Sequence, residues 1–207
     1  MSQLLEKMGP LPLVAILRGV KPDEVEDIAA MLMASGFRAI EVPLNSPDPF
    51  ESITRLVKRF GDRALIGAGT VTTIEQVTQL AATGATLAVS PHADVEVIRA
   101  SKAAGLYSLP GFFTPTEAFA AIKAGADGIK LFPAEAASPA VLKGMMPVIP
   151  KTTPVFPVGG ITPDRMKDYR AAGASGFGLG GALYQPGQFA EMVAMKAHAF
   201  ATAWTEN

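Results

Sequence analysis

Two residues able to do proton-transfer and covalent chemistry stand where apolar residues are expected. In Gly128-Ile129-Lys130-Leu131-Phe132-Pro133 a lysine interrupts a segment that otherwise reads as a β-strand. An unpaired ammonium group is costly to bury, so Lys130 either snorkels to water or loses its charge to a desolvated site. In the second case it becomes a nucleophile, because a neutral amine condenses with a ketone to form a Schiff base. Glu41 interrupts Ala39-Ile40-Glu41-Val42-Pro43-Leu44 in the same way, on the face opposite Ile40 and Val42. It reads either as a structural partner of Arg18 or Lys130, or as a general acid/base whose pKa is set by burial and a nearby amine. Arg18 closes the first apolar run. Its planar fork suits a carboxylate or a phosphate, and equally a structural ion pair.

Glycines surround these residues in the sequence order. Ile66 to Val71 reads IGAGTV, in which Gly67 and Gly69 allow backbone or ligand to approach closely and Thr70 offers a hydroxyl and an N–H. Val158-Gly159-Gly160 and Gly178-Leu179-Gly180-Gly181 each precede a helix-like stretch. Paired glycines there either form tight turns or aim free backbone N–H groups at one anion, as a barrel phosphate site requires. The two histidines, His92 and His198, are too few and too far apart for a metal site. His92 is expected to cap a helix or reach the mouth of the site. Phe112 and Phe113 wall a cavity or pack in the core, and Trp204 packs.

These residues need a frame that brings strand ends together. Eight short apolar runs alternate with Ala-rich helical stretches: Pro12 to Leu17, Ala39 to Leu44, Leu65 to Ala68, Leu87 to Val89, Leu106 to Leu109, Gly128 to Phe132, Pro154 to Val158 and Gly176 to Leu179. Their starts lie roughly 19 to 27 residues apart, which suits a strand, a loop and a three-turn helix. Pro and acids in Lys21-Pro22-Asp23-Glu24, Thr114-Pro115-Thr116-Glu117 and Thr162-Pro163-Asp164 open helices; glycines at 36, 84, 105, 125 and 173 close them. The expectation is an α/β chain, residues 1–207, forming one (β/α)8 barrel. Ser2 to Met8 would be a short helix closing its bottom, and Gln188 to Trp204 the last helix. A doubly wound open sheet also comes from this alternation, but no GxGxxG turn follows the first strand, and the unusual residues lie at many strand ends.

Composition narrows the partners. With 18 basic and 19 acidic side chains, a net charge of -1 and no long basic run, neither nucleic acid nor an anionic membrane is expected. Cysteine is absent, which excludes disulfides and thiolate chemistry. Mean hydropathy is +0.27, yet every apolar segment is interrupted well before the ~20 residues a membrane helix needs. Met1 to Gly9 lacks the zones of a signal peptide, so the cytoplasm is the expected compartment.

With Arg18, Glu41, GAGT, KLFP, VGG and GLGG in this order, the chain resembles the 2-keto-3-deoxy-6-phosphogluconate and 2-keto-3-deoxy-6-phosphogalactonate aldolases over nearly its whole length. The resemblance implies a class I, Schiff-base aldolase on a (β/α)8 barrel, a homotrimer acting on a phosphorylated keto acid without metal or organic cofactor. It implies Lys130 as the imine-forming lysine, Glu41 as the acid/base, Thr70 at the keto-acid end, and Gly159, Gly160, Gly180 and Gly181 around phosphate. The phosphogluconate enzymes are similar to E-V-T-x-R after the second strand, whereas this chain has Glu41-Val42-Pro43-Leu44-Asn45, so the substrate carboxylate would fall to Arg18. They also have T-G-G where this chain has Val158-Gly159-Gly160, which with Asn45 points to the galactonate epimer. Gly181 stands where relatives often have serine. A phosphate-binding isomerase or synthase, or a phosphosugar-binding barrel without catalysis, is the competing reading on the same frame.

Overall fold

Residues 2–206 are described by a computed structural model, so the two ends of the expected domain, Met1 and Asn207, lie outside the described residues. The elements run α1 (Gln3–Met8), β1 (Leu13–Ile16), α2 (Val25–Ala34), β2 (Ala39–Pro43), α3 (Pro49–Phe60), β3 (Leu65–Gly69), α4 (Ile74–Ala82), β4 (Leu87–Val89), α5 (Val95–Ala103), β5 (Tyr107–Leu109), β6 (Gly111–Phe112), α6 (Pro115–Ala124), β7 (Ile129–Leu131), a 3-10 turn (Ala134–Ala136), α7 (Pro139–Met145), β8 (Val155–Pro157), α8 (Pro163–Ala171), β9 (Phe177–Leu179) and α9 (Ala190–Thr205). All eight anticipated strands are present within a residue or two of their expected ends. The fifth differs in kind. Pro110 lacks the N–H that a ladder uses, and it divides this strand into β5 and β6.

The division sets the topology. All strand pairs are parallel, in a six-stranded sheet ordered β5-β4-β3-β2-β1-β9 and a three-stranded sheet ordered β6-β7-β8. The regular ladders are therefore open, where one continuous eight-stranded ladder was expected. The sheets meet twice: at Pro110, whose carbonyl accepts the Lys130 N–H at 2.8 Å, and at an isolated parallel bridge between Val158 and Gly178.

Alternation along the strands sorts side chains into two layers. Leu13, Ala15, Ile40, Val42, Ile66, Ala68, Ala88, Ile129, Leu131 and Val155 pack outward against the helices. Val14, Ala39, Leu65, Leu87, Val89, Leu109 and Phe156 point the other way and form a second apolar cluster, which Leu4 and Met8 of α1 cover from one end. The short N-terminal helix thus plugs that cluster as anticipated, with Ser2 capping it by accepting the Leu5 N–H. Burying each such Leu, Val or Phe is worth ~1.5–3 kcal/mol relative to exposure, which is what holds the inner face rigid.

Local punctuation behaves largely as read. Thr114 and Glu117 form a reciprocal capping box at α6, and glycines 36, 84, 105, 125 and 173 all take positive φ after their helices. One start is displaced: α2 begins at Val25, after Pro22, because the Glu24 carboxylate turns back to accept the Lys21 N–H at 3.0 Å and holds the preceding residues as a turn.

Candidate active site

Glu41 and Lys130 are the only acid and the only basic residue in the described strands, and alternation places both on the inner face. Glu41 sits on β2 between Ile40 and Val42, which face outward; Lys130 sits on β7 between Ile129 and Leu131, which also face outward. Their residues are 2% and 6% exposed, so neither snorkels to water. A cavity of about 360 Å³ opens above them, lined by Arg18, Glu41, Lys130, Phe132, Val158, Gly159, Gly160, Gly180 and Gly181, with Ile16, Glu135, Ile161, Thr162 and Ala182.

The two groups face each other without a contact ion pair or a direct hydrogen bond. The Lys130 Nζ lies 4.7 Å from the centroid of the Phe132 ring. Glu41 Oε2 is buried with no hydrogen-bond partner among the described residues. Burial pushes the Glu41 carboxyl up to about 7, against the opposing charges of Lys130 and Arg18. Burial likewise pulls the Lys130 amine below the ordinary lysine range; the Glu41 charge opposes this and Arg18 adds to it. The structural-partner reading of Glu41, as a contact pair with Arg18 or Lys130, is not what the geometry gives. An acid titrating near neutrality and an amine inclined to neutrality are suited to pass a proton and to attack a carbonyl.

Gly69 has a reason that the sequence reading did not identify. A Cβ built on it would fall 1.7 Å from Glu41 Oε2, so the glycine makes room for the carboxylate, a side chain of the same protein. Thr70, the next residue, is one of two described non-glycine residues with positive φ, at 60°. A β-branched residue in this region is strained, at a cost on the order of 1–3 kcal/mol. Thr70 is not among the residues lining the cavity, so the structure brings together every anticipated site residue except this one.

At the mouth, Arg18 is exposed, and its guanidinium donates to the Asn45 side-chain carbonyl oxygen at 2.5 Å. The Gly19 N–H donates to Ser46 Oγ at 2.9 Å, tying the same loop down. Asn45, which carries no charge of its own, thus orients the Arg18 guanidinium. On the opposite wall, Gly159 and Gly160 have φ of 107° and 62°, a conformation that glycine alone adopts without strain. Arg165 donates to the Gly160 carbonyl at 2.6 Å and fixes this turn from outside. The turn after β9 is set by the Leu183 and Tyr184 N–H groups, which both donate to the Gly180 carbonyl. The buried Tyr184 then donates its hydroxyl proton to Glu24 at 3.0 Å, linking the β9 and β1 loops. The N–H groups of Gly160, Gly181 and Ala182 enter none of the turn and loop hydrogen bonds among the described residues and can face an anion.

His92 is exposed beside Asp94, and neither it nor Phe112 lines the cavity. Phe112 is buried in the outer core. Trp204 packs as read, edge-on to Phe177 with its indole N–H donated to the Pro10 carbonyl at 3.0 Å. Glu135 was missed; the only available signal was its position as the one acid between Lys130 and α7. Among the described residues no cluster of three or more His, Cys, Asp or Glu could hold a metal ion, and no helix is long and apolar enough to cross a membrane.

Comparison with known proteins gives the family and the fold. The family model for "Aldolase: KDPG and KHG aldolase" matches residues 4–196. A probable 2-dehydro-3-deoxy-6-phosphogalactonate aldolase of Rhizobium meliloti is 47% identical over 193 residues, 93% of this chain and 91% of that one. The 2-dehydro-3-deoxy-6-phosphogalactonate aldolase of Escherichia coli K12 is 46% identical over 196 residues, 95% of this chain and 96% of that one. Among solved structures, one described as native KDPGal superposes with a TM-score of 0.93 at 46% identity, covering 95% of both chains. A cube-shaped protein cage designed by fusing symmetric oligomeric domains matches with a TM-score of 0.93 at 46% identity, over 95% of this chain and 73% of the cage chain.

Proposed function

We infer, from the premise that the chain belongs to the KDPG and KHG aldolase family and is a class I aldolase, that it cleaves 2-dehydro-3-deoxy-6-phosphogalactonate to pyruvate and D-glyceraldehyde 3-phosphate. The observation that carries this reading is a buried lysine, in contact with the Phe132 ring and in no ion pair, in one cavity with a buried glutamate whose Oε2 has no hydrogen-bond partner, beneath two glycine turns. Lys130 Nζ attacks the C2 ketone, and Glu41 moves the protons that let water leave, giving a protonated imine. The imine draws the electron pair of the C3–C4 bond as Glu41 takes the C4 hydroxyl proton, directly or through water. Glyceraldehyde 3-phosphate departs, the enamine takes a proton at C3, and hydrolysis returns the lysine and pyruvate. The imine cation is the electron sink, so the scheme calls for no cofactor.

Arg18, oriented by Asn45, takes the substrate carboxylate, and Gly159, Gly160, Gly180 and Gly181 surround the phosphate. Thr70 is given the keto-acid end by the family resemblance alone, since it does not line the cavity. Val158, 5% exposed in the cavity wall, offers no hydroxyl to the C4 position and favours the galactonate epimer. We take residues 1–207 as one domain in which the two sheets, meeting at Pro110 and at Val158–Gly178, form parts of a single (β/α)8 barrel. The fit to a chain built from symmetric oligomeric domains supports an oligomer, for which the family resemblance implies a homotrimer, and the composition supports the cytoplasm. Measuring pyruvate release from the galactonate and gluconate 6-phosphates side by side tests the assignment; faster turnover of the gluconate epimer, or of neither, would reject it.

A further inference from the structure

A carboxylate stands beside the glycine turn assigned to phosphate. Glu135 lies in the 3-10 turn after β7 and lines the cavity together with Lys130, Gly159 and Gly160. Its Oε2 is 3.1 Å from the point where a Gly159 side chain would begin and 3.0 Å from the corresponding point on Gly160. Its Cβ is also 3.0 Å from that point on Gly160, so the acid is attached to this wall whichever way its carboxylate turns. The backbone beneath it is fixed: the Ala134 N–H donates to the Val158 carbonyl at 2.8 Å, and the buried Tyr169 hydroxyl donates to the carbonyls of Ala134 and Ala137.

Glu135 has no counter-ion. It enters none of the ion pairs or hydrogen bonds among the described residues. Arg165, whose guanidinium lies 3.2 Å from the same point on Gly160, donates instead to the Gly160 carbonyl at 2.6 Å. An exposed carboxylate with no partner costs little by itself. Next to a seat for a phosphate dianion it acts against the ligand, because like charges this close repel even in mostly aqueous surroundings.

We propose that Glu135 is a specificity-determining residue that weakens the grip on the phosphate end through charge repulsion and so speeds release of the phosphorylated product. The proposal rests on the reading that the Gly159–Gly160 and Gly180–Gly181 turns hold phosphate. The free N–H groups supply attraction and Glu135 trims it. With the aldehyde product carrying the same dianion as the substrate, a tighter seat would hold the product back.

The test is Glu135→Gln, with Glu135→Lys as a second variant, each assayed for KM of the phosphorylated substrate and for competitive inhibition by inorganic phosphate. Lys130 trapping by pyruvate and borohydride in the same preparations serves as the reference for a competent site. Expected is a KM and a phosphate inhibition constant lowered by about 3- to 10-fold in the Gln variant and further in the Lys variant, the size of one charge acting over roughly 5–6 Å near water. The difference from wild type should shrink as ionic strength rises, which a purely steric effect would not do. A KM that rises or stays unchanged in Glu135→Gln, with wild type still inhibited by phosphate, overturns the role of Glu135 and leaves the phosphate seat standing. Absence of phosphate inhibition in wild type and both variants overturns the seat itself, and the proposal with it.

Discussion

Replacing Glu41 by Gln should make the protein slower and, above neutral pH, more stable. In the unfolded chain the carboxyl ionises near 4.5, whereas in the folded chain burial pushes it up to about 7. Between those values the folded state holds a proton that the unfolded state has released, so the contribution of Glu41 is fully present below pH 4.5 and is lost as pH rises through 7. At ~1.4 kcal/mol per pH unit this loss is on the order of 3 kcal/mol. A glutamine is neutral at all these pH values and escapes it. Urea unfolding of wild type and Glu41→Gln at pH 5 and pH 8 should therefore show a difference that moves in favour of the variant by about 3 kcal/mol, while turnover falls roughly 100-fold or more. A stability difference that is flat with pH would refute the claim that Glu41 is held protonated by burial, and full activity would make it a structural residue.

Val158→Thr restores a hydroxyl in the cavity wall without a change of shape and should shift the ratio of kcat/KM toward the gluconate epimer, by up to roughly tenfold; an unchanged ratio would remove Val158 from epimer selection. Gly160→Ala places a Cβ 3.0 Å from that of Glu135 at a φ of 62°, and should raise KM for the phosphorylated substrate while pyruvate trapping proceeds on folded protein. If KM is unmoved, the turn does not hold phosphate. Tyr184→Phe cuts the link between the β9 and β1 loops and should raise KM several-fold with kcat less affected; equal loss of both would point to a general loosening of the fold.

The frame was legible because the inner and outer faces of short buried strands impose a strict alternation, and Glu41 and Lys130 break it in runs that are otherwise apolar. Helix ends were legible for a similar reason, since only glycine closes a helix with positive φ at no cost. What escaped depends on contacts between distant segments. The fifth strand was expected to end at Leu109, yet beyond Pro110 β6 resumes and pairs with Lys130's strand. Asn45 was read as a lost arginine, whereas it orients Arg18 across 27 residues. Gly69 was read as room for backbone or a ligand and instead accommodates the Glu41 side chain. Glu135 gave almost no signal because an exposed acid in a loop resembles any other until the fold brings Gly160 against it.

The central claim is that one buried lysine forms the imine. Incubating wild type with pyruvate, reducing with borohydride and mapping the modified peptide tests it most directly. The account predicts a single pyruvate-derived addition on Lys130, abolished in Lys130→Ala while the variant stays folded. An addition on Lys123 or Lys143, or none at all in an enzyme that still releases pyruvate, would contradict it.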